Sequence, residues 1–435
     1  MKNPIRSLLL SLLLCAPAWS AGFVRVQGTH FTRDGQPYYF LGANFWYGMN
    51  LGSRGPGGDR GRLVRELDRL QALGVTNLRI VAGSEGPDSE PWRMVPALQK
   101  KPGQYDADLL DGLDFLLSQI GQRGMTAVVV LNNFWPWSGG MAQYEQWRSS
   151  GQIPYPPPAP GGDWDRYQKY AARFYSDRGA VKDFARFVKF LIKRENAYTR
   201  HRYAEEPAIM AWELANEPRG ADQPAAHDAW IAKTAALIKS LDKNHLVTTG
   251  SEGETPYPSA GLDFVKNHRS PDVDYATMHI WAANWGWFDP AHAEGTYPIA
   301  VAKMQAYFRD HLEKAGRLGK PVVLEEFGIS RDSGSYEASA GTALRERYYA
   351  AVFAQAYASA RSGSPLAGVC FWAWSGEGRP REAGGIWKAG DAFIGDPPHE
   401  RQGWYGVYDT DAGTLQLIKD STARFSALNA AEAAR

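Results

Sequence analysis

Eight short apolar runs recur along the chain and alternate with segments of helical periodicity. The runs are Tyr39–Asn44, Asn77–Ile80, Ala127–Leu131, Ile209–Leu214, Leu246–Thr249, Tyr275–His279, Val322–Glu326 and Gly368–Trp372. Each has the length of a strand buried on both faces. Between them, Arg60–Leu73 puts Leu63, Leu67, Leu70 and Leu73 on one helical face, and Leu109–Arg123, Val181–Glu195, Ala226–Leu241, Ile299–Ala315 and Ala343–Ser362 behave similarly. Buried strands joined by helices predict an α/β fold with a parallel sheet, and eight of them predict a single (β/α)8 TIM barrel with long βα loops. An open doubly wound sheet is the competing architecture. It is disfavoured because no glycine-rich phosphate loop follows the first strand. Gly55-Pro56-Gly57-Gly58 lies in a long loop and lacks a following Lys-Ser/Thr, so it reads as a flexible connection.

The barrel accounts for most of the 435 residues. Residues 1–20 stand apart: Lys2 and Arg6 precede the apolar run Leu8–Leu14, and Ala18-Trp19-Ser20 is a small-residue cleavage signal. They are expected to be a cleaved signal peptide, with residues 21–435 as one catalytic domain, secreted or periplasmic. The apolar run is too short to span a bilayer. Cys15 raises lipidation as an alternative, but Leu14 stands before it where a small residue is expected. Without Cys15 only Cys370 remains, so no internal disulfide is expected. Net charge is +1, from 48 basic and 47 acidic residues, which gives no basic excess for nucleic acid. Proline is densest in Pro154–Pro160, a surface loop by its composition.

In a TIM barrel the chemistry sits at the C-terminal ends of the strands. Those ends carry Asn44, Arg79, Asn132, Asn133, Asn216, Glu217, His279, Trp281, Glu326 and Trp372. Each alone reads as a satisfied buried polar or aromatic group. Their convergence on one rim points instead to a site. Glu217 and Glu326 are about 110 residues apart in sequence and each ends a strand run. Two carboxylates so placed suit retaining glycoside hydrolysis, one as acid/base and one as nucleophile. Glu325 would alternate away from the site into a salt bridge, and Glu213 would join a buried network. Glu252 and Glu254 are within reach of sugar hydroxyls. The nine His show no His-x-x-x-His and no His-Glu-x-x-His spacing, so no metal and no cofactor is expected. No Gly-x-Ser-x-Gly elbow suggests an esterase.

The runs AIMAWELANEPRG and KPVVLEEFG make the chain resemble glycoside hydrolase family 5, with its acid/base in Asn-Glu-Pro and its nucleophile in Glu-Phe-Gly. The resemblance implies Glu217 as acid/base and Glu326 as nucleophile, with Arg79, Asn216, His279 and Trp372 in the shared set. Arg79 would keep Glu326 ionised, Asn216 would bind the sugar 2-hydroxyl, and His279 and Trp281 would steer Glu326. Trp372 would be the floor for a sugar ring. Many members place Tyr where Trp281 stands, so that donor's geometry differs here. The phrases LGANFWYGMNLGS, TNLRIVAGSEGP, VVLNNFWPWSGGMAQY, HIWAANWGWFDP, VVLEEFGISRD and FWAWSGEGRP look like the bacterial β-mannanase branch of the family. They imply endo-hydrolysis of β-1,4-mannosidic bonds, with β-mannan as the polysaccharide partner.

The chain holds 16 Trp and 21 Tyr, a surplus that suits stacking on sugar faces. Trp46, Trp135, Trp137, Trp285, Trp287 and Trp404 are platform candidates, and Asn133 is a further binding candidate. Trp135 and Trp137 are expected to be the most exposed. A β-1,4-glucanase or an exo-acting β-mannosidase is the alternative activity, and a catalytically dead sugar-binding barrel the alternative class. A monomer without nucleic-acid or membrane partners is expected.

Overall fold

The computed structural model describes residues 22–434; the expected signal peptide, residues 1–20, lies outside them. Eight parallel strands form the barrel: β1 (Phe40–Asn44), β2 (Asn77–Val81), β3 (Thr126–Val130), β4 (Ile209–Glu213), β5 (Leu246–Thr248), β6 (Ala276–Ile280), β7 (Val322–Phe327) and β8 (Leu366–Phe371). Their order in the sheet is β5-β4-β3-β2-β1-β8-β7-β6. Between β5 and β6 the ring closes through Asp274 N–H to Val247 C=O (2.8 Å) and Thr248 Oγ1 to Tyr275 C=O (2.9 Å). All eight expected strands form, with ends displaced by one or two residues.

The helices outside the barrel start where the sequence supplies a cap. α1 (Arg60–Ala72) begins after Asp59, whose carboxylate accepts from the Arg62 N–H. Asp106 does the same for α2 (Ala107–Gln122), Asp163 for α3 (Trp164–Ala172) and Asp177 for α4 (Arg178–Ile192). Each such carboxylate satisfies amides that the first helical turn leaves unpaired. α5 (Pro224–Leu241) starts with Pro at its first position, where no N–H is needed. α6 (Ala293–Leu318), α7 (Ala343–Arg361) and α8 (Ala412–Ala433) complete the layer.

The barrel's lower interior is filled rather than hollow. Phe40, Val128, Met210, Leu246, Tyr275, Val323 and Ala367 point inward and pack with Val24 and Phe31 from an N-terminal hairpin of strands Val24–Gln27 and His30–Arg33. The Phe31 ring meets Tyr275 edge-on at 5.3 Å. Burial of a ring like Phe31 contributes on the order of 1.5–3 kcal/mol. At the same end, the Asn429 side chain of α8 accepts from the Tyr39 N–H (2.7 Å) and donates to the Tyr39 C=O (2.9 Å). With the base plugged, the polar groups at the strand C-termini gather at the opposite face.

Candidate active site

Arg79 organises the floor of the site. On β2 it lies beside Asn44 of β1 in parallel register. Its Nε and one terminal nitrogen donate to Glu213 (2.8 and 2.5 Å), and its terminal nitrogens also reach Asn44 Oδ1 (3.1 Å), Asn216 Oδ1 (2.8 Å) and Glu326. These bonds use the whole donor fork of the guanidinium.

Glu217 stands just past β4 with its backbone in the left-handed region, φ 48°. A non-glycine residue there is strained, and such residues collect at functional sites. Its N–H donates to the Gly250 C=O (2.9 Å). Gly250 is itself at φ 75°, and a Cβ added there would meet the Ala215 carbonyl at 1.9 Å. The Glu217 carboxylate accepts from Trp135 Nε1 (2.5 Å), His279 Nδ1 (2.7 Å) and Trp281 Nε1 (3.1 Å).

Glu326 follows from an irregularity between β6 and β7. Met278 pairs with Leu324, but His279 pairs with Glu326, so Glu325 is the extra residue of a bulge. The bulge suspends strict alternation. Glu325 therefore does not turn away from the site: it is buried beneath it, 3.7 Å from His279 Nε2 and 4.0 Å from Arg79 Nε. One oxygen of Glu217, one of Glu326 and a ring nitrogen of His279 lie within 4.8 Å of one another.

Electrostatically, four buried carboxyls (Glu213, Glu217, Glu325 and Glu326) surround two cations, Arg79 and His279. Burial works against the His279 charge, but Glu326, Glu217 and Glu325 lift the imidazole to about 10. A charged imidazole donates from both nitrogens, so the Glu217–His279–Glu326 cluster offers a cation no histidine lone pair. Burial pushes Glu326 up to about 7 against the pull of His279 and Arg79. For Glu217 burial also pushes upward, but the hydrogen bond and charge of His279, then Arg219 and Trp135, bring it below the usual carboxylate range. The two carboxyls are close enough to titrate as a pair.

A cavity of about 690 Å³ opens above them. Asn216, Glu217, Glu326, Trp135, Trp281 and Trp372 face it. Several expected binding residues do not. Arg79 and His279 lie behind the carboxylates. Asn133 is fully buried, its carbonyl oxygen accepting from Asn216 (3.1 Å) and from the Trp135 N–H (3.0 Å), so it props the strand ends. Trp46 is 1% exposed and donates to the Gly395 C=O, which makes it core and not a platform. Trp287 is likewise core. Trp137 and Trp285 are buried but touch the cavity edge, while Trp135 and Trp404 are half-buried on its wall. His279 and Trp281 were expected to steer Glu326. Their short bonds go to Glu217 instead, and His279 Nδ1 is 3.4 Å from Glu326.

Other wall residues escaped the sequence reading. Arg219, two residues past Glu217, forks onto Glu252 (2.6 and 2.8 Å) and lies over the Trp135 ring at 4.8 Å. That pairing occupies Glu252, and Lys314 holds Glu254. Trp164 (42% exposed) and Tyr257 (43% exposed) stand at the rim. Glu85, after β2, is fully buried. Its carboxyl accepts from the Gly140 N–H (2.8 Å) and its own N–H donates to the Ser138 C=O (2.8 Å), fixing the loop that carries Trp135.

The loops after β3 and β8 meet over the barrel mouth. The Trp164 ring lies 5.3 Å from the His399 ring, and Trp137 lies 6.5 Å from Trp372. β3 and β8 are separated by β1 and β2, so this contact roofs the mouth above those two strands. Trp46, Tyr47 and Phe393 fill the space beneath, with Trp46 and Tyr47 5.8 and 6.1 Å from Phe393.

The sequence pattern described as GH family 5 beta-mannosidase-like matches residues 21–430. "Mannan endo-1,4-beta-mannosidase 7" of Arabidopsis thaliana is 32% identical over 368 residues, covering 81% of this chain and 78% of its own. "Mannan endo-1,4-beta-mannosidase 5" of Solanum lycopersicum is 31% identical over 369 residues, covering 81% and 80%. The crystal structure of a glycoside hydrolase family 5 mannosidase from Rhizomucor miehei superposes with TM-score 0.87 at 38% identity, covering 94% of this chain and 98% of that one. A point mutant of that fungal mannosidase is known in complex with mannosyl-fructose. These relatives are plant and fungal. They support the family and not the bacterial branch that the loop phrases suggested.

Proposed function

The chain belongs to glycoside hydrolase family 5 and is a glycoside hydrolase; from that premise we propose that it cleaves internal β-1,4-mannosidic bonds of mannan, glucomannan or galactomannan. The observation that carries the chemistry is the close approach of Glu217 and Glu326, with oxygens within 4.8 Å, at the floor of an oligosaccharide-sized cavity. Retaining glycosidases hold their carboxyls about 5–5.5 Å apart and inverting ones roughly 6.5–9.5 Å.

In the proposed mechanism Glu217 protonates the leaving oxygen while Glu326 attacks the anomeric carbon. In the empty site the proton lies with Glu326, which burial raises to about 7, while His279 holds Glu217 below the usual carboxylate range. Positive charge developing on the sugar favours ionised Glu326, and Arg79 stabilises that form, which leaves the proton for Glu217. Water activated by the now ionised Glu217 then attacks the glycosyl-enzyme, releasing Glu326. Trp135, Trp281 and His279 hold the Glu217 carboxylate in that state. Asn216, fixed by Arg79 and Asn133, has an amide hydrogen left for a sugar hydroxyl. Trp372, buried but lining the cavity, is the candidate floor for the reacting ring.

A second reading is favoured by one observation. The roof over β1 and β2 closes one flank of the cleft, which suits action near a chain end. The test is a panel of soluble mannans, glucans and xylans assayed for reducing ends and viscosity together. Rapid viscosity loss on mannan supports internal cleavage; reducing ends without viscosity loss support chain-end action. No activity on any mannan sinks the substrate assignment. Residues 1–20 are proposed as a secretion signal and the mature chain as a monomer. N-terminal sequencing of the exported protein and its sedimentation check both.

A further inference from the structure

The bulge in β7 leaves a carboxyl inside the barrel that the reaction does not use. Glu325 is 1% exposed and lies beneath the site, behind the carboxyls that face the cavity. Its backbone is tied in, since its C=O accepts from Asn44 Nδ2 (2.7 Å). Its side chain is not. Among the described residues neither Glu325 oxygen has a hydrogen-bond partner, and neither has His279 Nε2. A buried polar group without a partner costs free energy and calls for an explanation. Arg79 on β2, Glu213 on β4, Tyr275 just before β6 and Cys370 on β8 surround the carboxyl. Burial keeps the phenol and the thiol neutral, so the cations near Glu325 are Arg79 and His279. Arg79 is already committed to Glu213, Asn44, Asn216 and Glu326. His279 Nε2, 3.7 Å from Glu325 Oε2, has no such commitment.

The two ends of the imidazole therefore face different carboxyls. Nδ1 donates to Glu217 (2.7 Å) and lies 3.4 Å from Glu326, while Nε2 faces Glu325. The charges of Glu213 and Glu252 also bear on the ring. A closure of about 1 Å brings Nε2 and Glu325 to the length of a charge-assisted bond. A buried carboxylate so placed fixes the orientation of an imidazole and stabilises its charged form, as the aspartate does in a Ser-His-Asp triad. We propose that Glu325 is a positioning residue, which holds His279 as an imidazolium and through it stabilises the Glu217 carboxylate left when the acid gives up its proton. Glu325 touches no substrate and transfers no proton. Burial aside, His279 and then Arg219 act most strongly on Glu217, so Glu325 reaches the acid through the ring. This rests on the assignment of Glu217 as acid/base made above.

The experiment compares wild type with Glu325→Gln, which keeps the shape and removes the charge. The imidazole is read without substrate, by nitrogen-15 NMR of histidine-labelled protein, with His279→Gln to assign the signal. Wild type should show both ring N–H groups at pH 8, and Glu325→Gln should lower the titration midpoint by about one unit or more. On manno-oligosaccharides, whose leaving group needs the acid, kcat of Glu325→Gln should fall on the order of 10- to 100-fold, the worth of a hydrogen bond to a charged group. KM should hold, and the loss should grow with pH because the ring gives up its charge earlier. On a dinitrophenyl glycoside, which needs little acid assistance, the loss should be under about 3-fold. The melting temperature should be unchanged or higher, since Glu213, Glu217 and Glu326 remain for the two cations. A neutral His279 in wild type at pH 8 would overturn the proposal whether or not the variant folds. So would an unmoved midpoint, an equal kcat loss on both substrates, or a lowered melting temperature with unaltered kinetics in the folded fraction. Wild type inactive on every manno-oligosaccharide, with the ring charged as expected, would instead sink the mannan reading.

Discussion

Glu85 offers a stability test that does not depend on substrate. Its carboxyl is fully buried against the Gly139–Gly140 turn, accepts one backbone N–H, and leaves Oε1 without a partner. Burial lifts it from the ordinary 4.5 to about 8, against the smaller pull of the Gly140 N–H and Arg93. Below about pH 4.5 both the folded and the unfolded chain carry the proton, and the group does not affect the balance. As the pH rises, the unfolded chain releases its proton first. Folding then loses about 1.4 kcal/mol per pH unit until the folded form also ionises near 8. At pH 7 the deficit is about 3 kcal/mol, a large share of the 5–15 kcal/mol typical of a folded protein. Glu85→Gln keeps an oxygen for the Gly140 N–H and never ionises. Its unfolding free energy relative to wild type should therefore rise by about 3 kcal/mol between pH 4.5 and pH 7 and level off near pH 8. Urea unfolding followed by tryptophan fluorescence at four pH values measures this. A difference that is flat with pH, or that falls, would refute the reasoning, because it would mean that the folded chain does not hold this proton.

Two further predictions concern the carboxyl pair. Glu326→Ala should abolish turnover on all substrates, whereas Glu217→Ala should keep some on aryl glycosides with good leaving groups and gain rate with azide, which needs no general base; identical behaviour of the two variants on activated substrates would reverse or void the assignment. Trp135→Phe keeps a ring for Arg219 and removes one donor to ionised Glu217, so the alkaline limb of the kcat/KM profile should move to higher pH; a pH titration of kcat/KM in which that limb stays put would show that the indole N–H does not tune the acid.

The eight strands and six of the helices were legible because each carries its own periodicity. α3 was not: Trp164–Ala172 follows a proline-rich loop, and its one clear signal, Asp163 as a cap, is easily passed over. The site was legible at the strand ends, where position on a barrel decides orientation. It failed where a local irregularity decides instead. Strict alternation sent Glu325 outward, but a bulge keeps both it and Glu326 inside. Trp46 and Asn133 failed for another reason. Aromatic and amide side chains at the rim serve core and cleft equally well, and only the tertiary placement of the β8 loop shows that Trp46 is covered. Arg219 carried a signal, two residues beyond Glu217 in the same turn.

The clasp of Asn429 on Tyr39 bears on how the protein is made. Synthesis runs from the N-terminus, so β1 emerges first and waits for both of its edge partners. One neighbour, β8, begins at Leu366, and the side chain that caps Tyr39 appears only at residue 429. Until β8 is made, β1 keeps a free edge, and until residue 429 is made, the Tyr39 backbone lacks its side-chain partner. A chain interrupted between Glu326 and Leu366 would hold both catalytic carboxylates and no closed barrel. Emergence of β8, rather than of the two carboxylates, is thus the step that lets the ring close.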